Sequence, residues 1–215
     1  MNNTSVIHQN PLYGLAMKYK VFITTLILLS TACLSPQRMY PEKRYYYLET
    51  TQAPVISQML YPEVLRIAKI RMSPACTGKG FIYKTSHITY DTDFYHEFLV
   101  SPDMMFAEII RQWFDKSNLF KRVTGSSGHF EERYIIESTV TSLHGEFSDP
   151  ENPKAVLHIQ FFLIKDNGLK YELMIKKNYA SQIMIKSCSP ESLVQGWNQA
   201  FTDILINFQK AITEK

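Results

Sequence analysis

The amino-acid sequence predicts an α+β fold, in which a mostly antiparallel sheet is covered by two main amphipathic helices within a single domain. Two stretches predict the helices, because Ser101-Pro102-Asp103 and Ser189-Pro190-Glu191 each precede apolar residues at three- and four-residue spacing. Three long runs of strand-forming residues lie between these two stretches. The order of strands, helix, antiparallel strands and helix is typical of a layered α+β domain.

Several short strands are expected before the first helix. In the run Val64–Met72, a strand is favoured over a helix because Pro62 and Pro74 bracket it closely. Two glycines, Gly78 and Gly80, then mark a turn into the next strand. The predicted short strands are Tyr45–Leu48, Val64–Met72, Phe81–Tyr83 and His87–Tyr90.

Asp91, Asp93 and His96 crowd together after the last of these strands. Carboxylate and imidazole groups are metal ligands, so a metal site is one interpretation. The sequence offers no second ligand cluster nearby, and an aspartate in a turn commonly accepts hydrogen bonds from neighbouring backbone N–H groups. We therefore favour a turn, and we expect neither a metal nor another cofactor.

The first helix is expected to begin at Ser101-Pro102-Asp103. Serine caps free N–H groups, proline fits the first helical position, and aspartate suits the positive end of the helix dipole. The helix should end near Lys116–Asn118, before a short strand at Leu119–Val123. Its spacing predicts one core-packing apolar face, formed by Phe106, Ile109, Ile110, Trp113 and Phe114.

The second half of the chain should form three longer strands and a final helix. The strands are predicted at Tyr134–Phe147, Ala155–Lys165 and Leu169–Tyr179. Asp166-Asn167-Gly168 predicts a hairpin between the second and third of them. An apolar stripe that includes Trp197 and Phe201 continues to the C-terminus, so the last helix should cover one face of the sheet.

The N-terminal region has the layout of a secretory signal peptide, predicted here over residues 1–32. Lys18 and Lys20 precede a short apolar run, and small residues lead directly to Cys33. The apolar run 21–29 is too short to span a bilayer, which needs about 20 residues. Met17 fits better than Met1 as the initiator of such a signal. Ser30-Thr31-Ala32-Cys33 resembles the lipobox of bacterial lipoproteins, in which the cysteine carries a lipid. We therefore expect Cys33 to be lipidated and residues 33–44 to form a tether. The alternative is an ordinary signal peptide or N-terminal anchor with an incidental cysteine.

Charge and cysteine content limit the classes of function. Without residues 1–32, the formal net charge of +3 falls by two lysines to nearly zero, which gives nucleic-acid binding little support. Cys76 and Cys188 remain after Cys33 is set aside. An exported protein meets an oxidising compartment, so these two either form a disulfide or stay separate buried thiols, and we favour the separate thiols slightly. The motifs of serine, zinc and cysteine hydrolases do not occur, so no catalytic residue is expected.

The order and spacing of several stretches resemble one family, the ABC-type transport auxiliary lipoproteins, which are PqiC-like partners of MCE-domain lipid transporters. The resemblance covers nearly all of residues 33–213, and the domain itself is expected at 45–215. Ser30 in the lipobox and the stretch Cys76–Gly80 depart from the family pattern. The resemblance rests on Cys33, Tyr45–Leu48, Leu65–Ile70, Ile88–Tyr90 with Asp93–Tyr95, the helix from Pro102 to Phe120, and Leu193, Trp197 and Phe201.

The resemblance implies a periplasmic lipoprotein without catalytic residues, which works with an MCE-domain protein, an ABC permease and its ATPase. Such a system moves phospholipid or other hydrophobic molecules between the inner and outer membranes. Acyl chains on Cys33 would hold the protein in a lipid bilayer, and Leu34 favours the outer membrane. Two alternatives remain open, an outer-membrane assembly lipoprotein that supports a β-barrel and a periplasmic lipid-binding module. Assembly with further copies of the chain also remains open.

The stretch around Tyr90, Asp93 and Tyr95 is the candidate partner interface. It concentrates aromatic side chains around one acid, with Phe94 and Phe98 alongside, and this composition is typical of interface hot spots. We expect a loop held on a rigid sheet, where binding residues are often found. The alternative is that the rings pack inward and that Asp93 only closes a turn.

Overall fold

A computed structural model describes residues 41–126 and 131–215 of the chain. Residues Glu42–Lys215 form one compact unit, and the described core lies between Leu48 and Ile212. The predicted signal peptide, Cys33 and most of the tether lie outside the described residues. The described part contains β1 Arg44–Tyr46, β2 Tyr61–Ile67, β3 Arg71–Met72, β4 Gly80–Lys84, β5 Tyr90–Phe98, α1 Pro102–Lys116, β6 Phe120–Thr124, β7 Glu132–Glu146, β8 Lys154–Asp166, β9 Tyr171–Met184 and α2 Pro190–Thr213.

Strand β7 is the centre of a single mixed sheet. On one edge it pairs with β8, which in turn pairs with β9, and both pairings are antiparallel. On its other edge β7 pairs in succession with β2, β3 and β4, all parallel to it. Beyond these strands, β6 extends the sheet from β2, while β5 and β1 extend it from β4. Strands β2, β3 and β4 therefore lie one after another along the same edge of β7.

The prediction of a mostly antiparallel sheet is wrong, because five of the eight pairings between strands of the described residues are parallel. The antiparallel β8–β9 pair is joined by a short turn, and the predicted hairpin is confirmed, with Gly168 at a φ of 80°. Parallel neighbours need a long connection instead, so no local turn sequence marks them. The α+β layering itself is as predicted.

Two short strands differ from the prediction. The run Val64–Met72 is divided at 68–70, where the chain leaves β2 and then returns to β7 as β3. His87 and Ile88 belong to the turn between β4 and β5, and the strand begins only at Tyr90. A hydrogen bond from the N–H of Thr85 to the carbonyl of Thr89 (3.0 Å) closes that turn.

The two helices start where the sequence predicts, and their caps differ. Ser189 accepts a hydrogen bond from the N–H of Ser192 (3.2 Å), as expected of a capping serine. The expected cap at Ser101 is wrong, because its side chain makes no capping hydrogen bond. Its carbonyl instead accepts from the N–H of Met105 (3.1 Å).

Aromatic side chains fill the layer between the helices and the sheet. Phe106 of α1 packs edge-on against Phe201 of α2, with 4.7 Å between ring centroids. Phe208 of α2 stacks on Phe161 of β8 at 4.4 Å. Trp197 is fully buried, contacts the rings of two core phenylalanines and donates its indole N–H to a carbonyl of β8. The prediction that both tryptophans lie in the core is confirmed, since Trp113 is 2% exposed.

Residues 47–60 form an irregular strap that contacts both helices. The N–H of Glu49 donates to the amide oxygen of Asn198 on α2 (2.9 Å), and the N–H of Ile56 donates to the carbonyl of Ser117 after α1 (2.9 Å). Gln209 is buried beneath the strap, where it accepts from the Trp113 indole (2.8 Å) and donates to the carbonyl of Pro54 (2.6 Å). The strap therefore binds the two helices together.

The cysteines of the described part are free thiols. Cys76 is buried in a 3₁₀ turn after β3, and burial is the main cause that raises the pKa of its thiol. Cys188 is exposed just before α2. The expectation that both thiols are buried is therefore wrong for Cys188.

Candidate functional site

The candidate stretch lies on β5, and β5 contains a bulge. Gly80 of β4 pairs with Glu97, whereas Ile82 pairs with Thr92, so β5 has three extra residues between these pairs. Within this bulge, the backbone of Asp93 lies close to Gly80. A Cβ atom on Gly80 would lie 2.7 Å from the carbonyl oxygen of Asp93, closer than such contacts occur. Glycine at position 80 therefore makes room for the bulge.

The carboxylate of Asp93 stabilises the bulge through hydrogen bonds to its neighbours. Its Oδ1 accepts hydrogen bonds from the N–H groups of Tyr95 (2.7 Å) and His96 (3.1 Å). Its Oδ2 accepts from the Tyr83 hydroxyl (2.7 Å) and lies 2.7 Å from Nδ1 of His96. The predicted bonding of an aspartate to nearby backbone N–H groups is confirmed for Asp93, although it occurs in a strand bulge and not in a turn.

Burial and hydrogen bonding act in opposite directions on these groups. Burial raises the pKa of Asp93, but hydrogen bonds from Tyr83, from the N–H of Tyr95 and from His96 outweigh it, so the pKa lies below its ordinary value. Burial, followed by the hydrogen bond to Asp93 and its charge, raises the pKa of the Tyr83 hydroxyl. At neutral pH the pair is therefore a carboxylate that accepts and a phenol that donates.

The three polar residues at 91–96 do not form a metal site. Asp91 accepts from the hydroxyl of Thr85 (2.9 Å), whereas Asp93 and His96 bond each other. Within residues 41–126 and 131–215, no group of three or more His, Cys, Asp or Glu side chains is arranged to hold a metal ion.

A second polar cluster ties β1 to the start of α2 at the same end of the domain. The Tyr46 hydroxyl donates to Glu191 (2.8 Å), and Arg44 lies 3.3 Å from the same carboxylate oxygen. The hydrogen bond from Tyr46 is the main cause that lowers the pKa of Glu191. The ring of Tyr46 lies 5.9 Å from that of His96, so the cluster adjoins the β5 bulge.

Exposed aromatic side chains lie on β1 and β5, the strands that carry Tyr46 and Asp93 of these two polar clusters. Tyr45 is 56% exposed, Phe94 is 66% exposed, and Lys43 lies over the Phe94 ring at 4.2 Å. Tyr95 is partly buried and packs edge-on against Phe94 at 5.2 Å. We call Tyr45, Phe94 and Tyr95 the β1–β5 aromatic surface.

The structure separates the predicted interface residues. Tyr90 is exposed at the start of β5 and packs edge-on against His144 at 5.6 Å, while Asp93 is engaged in internal hydrogen bonds. The placement of Phe98 beside the interface is wrong, because this ring is buried against Phe81 and Trp197. Tyr45 was not predicted, although strand alternation in Tyr45–Tyr47 would have turned it outward from the inward-facing Tyr46.

A groove lies on a different part of the domain, between the first half of α1 and residues 68–70. Its volume is about 610 Å³. The buried side chains of Ile67, Ile70 and Met105 contribute to its lining, while Met104 is 65% exposed. Lys69 and the Glu108–Arg111 ion pair add charged groups to the lining.

Within the described residues, no helix is both long enough and apolar enough to cross a membrane.

No family model and no curated protein sequence matches the chain. Solved structures do share its fold. A Xanthomonas campestris protein assigned to the family DUF330 superposes with a TM-score of 0.66 at 11% identity, covering 77% of this chain and 92% of its own. An uncharacterized protein gives 0.63 at 17% identity, with 80% and 99% covered. A hypothetical protein from Chlamydia trachomatis gives 0.50 at 8% identity, with 71% and 96% covered.

We expect Asp93→Asn to destabilise the domain by about 2 kcal/mol at neutral pH, because hydrogen bonds to a charged group contribute roughly 1.5–3 kcal/mol. The lowered pKa of Asp93 means that this stability is present above the unfolded pKa, near 3.8, and is lost as the pH falls through the folded pKa. Urea melts between neutral and acid pH should therefore show the difference between wild type and variant shrinking below about pH 4. A difference that stays constant with pH would contradict a role for the charge.

Proposed function

We propose that the chain is an auxiliary lipoprotein of an MCE/ABC-type system that moves phospholipid or other hydrophobic molecules between the inner and outer membranes. In this proposal it is anchored in the outer membrane through Cys33, faces the periplasm and acts by docking, without catalysis. The observation that carries the docking role is the β1–β5 aromatic surface. Tyr45 and Phe94 are each more than half exposed on this surface.

The hydrogen bonds that hold the backbone of this surface in place favour the binding of a partner protein. Large aromatic side chains dominate interface hot spots, and binding is tighter when they are already ordered. The hydrogen bonds of Asp93 and the Tyr46–Glu191 contact fix the backbone beneath the rings. The same stretch carries part of the sequence resemblance, and the fold shared with the DUF330 protein is compatible with this role.

Phe94→Ala and Tyr45→Ala are expected to weaken binding to the MCE-domain protein of the same genome by roughly 30-fold each, as hot-spot truncations of about 2 kcal/mol do. Purified proteins and an affinity measurement, with a thermal melt of each variant, provide the test. Tyr171→Ala is the matched control, because Tyr171 is 69% exposed on β9, away from this surface. The proposal fails if the wild type does not bind the MCE-domain protein, or if binding falls only in step with thermal stability.

Cys33→Ala is expected to abolish membrane association and leave the fold intact, since the compact unit begins at Glu42. Acyl chains contribute about 0.8 kcal/mol per buried CH₂ group, and several chains together hold a protein firmly on a bilayer. Membrane fractionation, incorporation of labelled palmitate and sensitivity of processing to globomycin are the measurements. A wild-type protein that remains in membranes without carrying lipid would contradict this expectation.

The groove beside α1 favours a second candidate function, that of a lipid-binding module. Its volume of about 610 Å³ lies within the range of small-molecule sites, roughly 300–1,000 Å³. Its apolar lining suits an acyl chain, and Lys69 suits an anionic headgroup. Native mass spectrometry of the purified protein separates the two functions, because only a lipid-binding module should carry a co-purified lipid that Met104→Trp, a change at an exposed residue of the lining, displaces.

A further inference from the structure

The tip of the β8–β9 hairpin carries the most exposed large apolar side chain of the described residues. Leu169 is 98% exposed, and it is followed at alternate positions by Tyr171 at 69% and Leu173 at 56%. Leu173 pairs with Ile164 across the hairpin, on the opposite face from the core residue Leu163. We call Leu169, Tyr171 and Leu173 the hairpin patch. Contiguous exposed apolar side chains of this kind commonly mark interaction sites.

Lysines flank the hairpin patch on both faces of the hairpin. Lys170 lies at the tip, and Lys176 shares the face of Leu173 because it pairs with Phe162. Lys165 and Lys177 lie on the other face, where they pair with Glu172 and Phe161. None of the four forms an ion pair within the part of the chain that the structure describes. Lys176 lies over the Phe162 ring at 5.7 Å.

The acids on the hairpin are engaged locally. Asp166 accepts from the N–H of Gly168 (2.7 Å), and Glu172 accepts from the amide of Asn167 (3.1 Å). Arg133 lies beside the hairpin and pairs with Glu131 (3.3 Å). Cations therefore outnumber acids around the patch, and its charge complements an anionic surface.

The hairpin patch lies at the opposite end of the domain from the N-terminal strand. Arg44, at the start of β1, contacts Glu191 in the first turn of α2, whereas Lys215, after α2, donates to the carbonyl of Met174 on β9. Helix α2 has 24 residues and is therefore about 36 Å long. The patch is thus a separate surface from both the N-terminal strand and the β1–β5 aromatic surface.

We propose that the hairpin patch is a second membrane-contact site, which inserts into the interface of an anionic bilayer. Leucine side chains at a projecting tip enter the acyl region, a tyrosine ring suits the headgroup level, and lysines alongside bind anionic lipid. Each lysine near the surface strengthens such binding roughly fivefold. This contact requires neither acylation of Cys33 nor an MCE-domain partner, so it goes beyond the proposed function.

The test uses residues 42–215, the compact unit that contains the described core, so that no acyl chain contributes. Co-sedimentation is measured with phosphatidylcholine vesicles and with equimolar phosphatidylcholine–phosphatidylglycerol vesicles. The wild type should bind the anionic vesicles preferentially, and the double variant L169S/L173S should bind at least about tenfold more weakly, since two leucines lose their apolar burial. Ile88→Ser is the matched control, because Ile88 is 85% exposed at the β4–β5 turn and should not affect binding.

Two further measurements make the result specific. Lys170→Glu with Lys176→Glu should lower binding to anionic vesicles and remove its salt dependence. Tyr171→Trp should show a blue-shifted emission on vesicle binding, because Trp113 and Trp197 are buried and should contribute little change. Thermal melts are expected to be unchanged for all variants.

Several results would overturn the inference. Equal binding of the wild type to both kinds of vesicle would remove the anionic preference, and full binding by L169S/L173S would remove the role of the tip. Self-association in sedimentation velocity that disappears in L169S/L173S, without vesicle binding, would assign the patch to a second copy of the chain. None of these results depends on whether the MCE-domain protein binds.

Discussion

Trp197→Ala should lower the free energy of unfolding by about 3–5 kcal/mol, the usual cost of removing a buried tryptophan. Trp197 is fully buried and lies 5.1 Å from the ring of Phe81 and 5.5 Å from that of Phe98. Its indole N–H donates to the carbonyl of Val156 (3.1 Å). The truncation therefore removes the packing between α2 and two sheet strands together with a buried hydrogen bond. Domains of ordinary stability have only about 5–15 kcal/mol to lose.

A denaturant melt of Trp197→Ala, with Trp197→Phe beside it, measures this loss. Phenylalanine retains an aromatic ring but no N–H donor, so it should fall between wild type and alanine. Trp113→Ala should be similarly destabilising, because it also leaves the buried Gln209 without its indole donor. A loss below about 1 kcal/mol at either position would mean that the surrounding side chains close the cavity, contrary to rigid core packing.

Gly196→Ala should destabilise the domain by about 1–3 kcal/mol, the usual cost of overpacking. Gly196 lies in α2, and a Cβ atom there would lie 2.5 Å from Cβ of Ala155 and 2.6 Å from Cγ2 of Ile185. Alanine improves helix propensity by roughly 1 kcal/mol, which opposes the effect. The clash should prevail, because Ala155 is held in β8 between two paired strands and cannot move without disturbing them.

Two companion variants identify the cause. Gly78→Ala adds the same methyl group where no atom lies within 4 Å, so its melt should match the wild type closely. Ala155→Gly, introduced into Gly196→Ala, should restore part of the lost stability because it removes the atom in the closest contact. If Gly196→Ala is as stable as the wild type, helix α2 must be able to move away from the sheet.

The sequence predicts those features of the fold that local residues determine. The Ser-Pro-acid stretches and the apolar spacing mark both helices, and Asp166–Gly168 marks the hairpin. The parallel pairings leave no comparable signal. Leu65 pairs with Tyr134 across about 70 residues, and a strand as short as β3 is defined mainly by the partner it meets.

The candidate site also combines features that are visible in the sequence with features that depend on the fold. The aromatic composition around Asp93 is visible in the sequence, but the direction of each ring depends on the β5 bulge. The three extra residues disrupt the simple alternation of strand faces, so Phe94 points outward while Phe98 is buried. Glycine at position 80 leaves room for the backbone of Asp93 in the bulge, but neither residue signals the other in the sequence.

The position of β7 also determines the order in which the chain can fold. β7, β8 and β9 follow one another with short turns, so they can pair soon after they are synthesised. Strands β2, β3 and β4 cannot pair with β7 until β7 has been synthesised. Each of these pairings closes a loop of about 60–70 residues. We therefore expect the N-terminal half to remain unfolded until the C-terminal half is present.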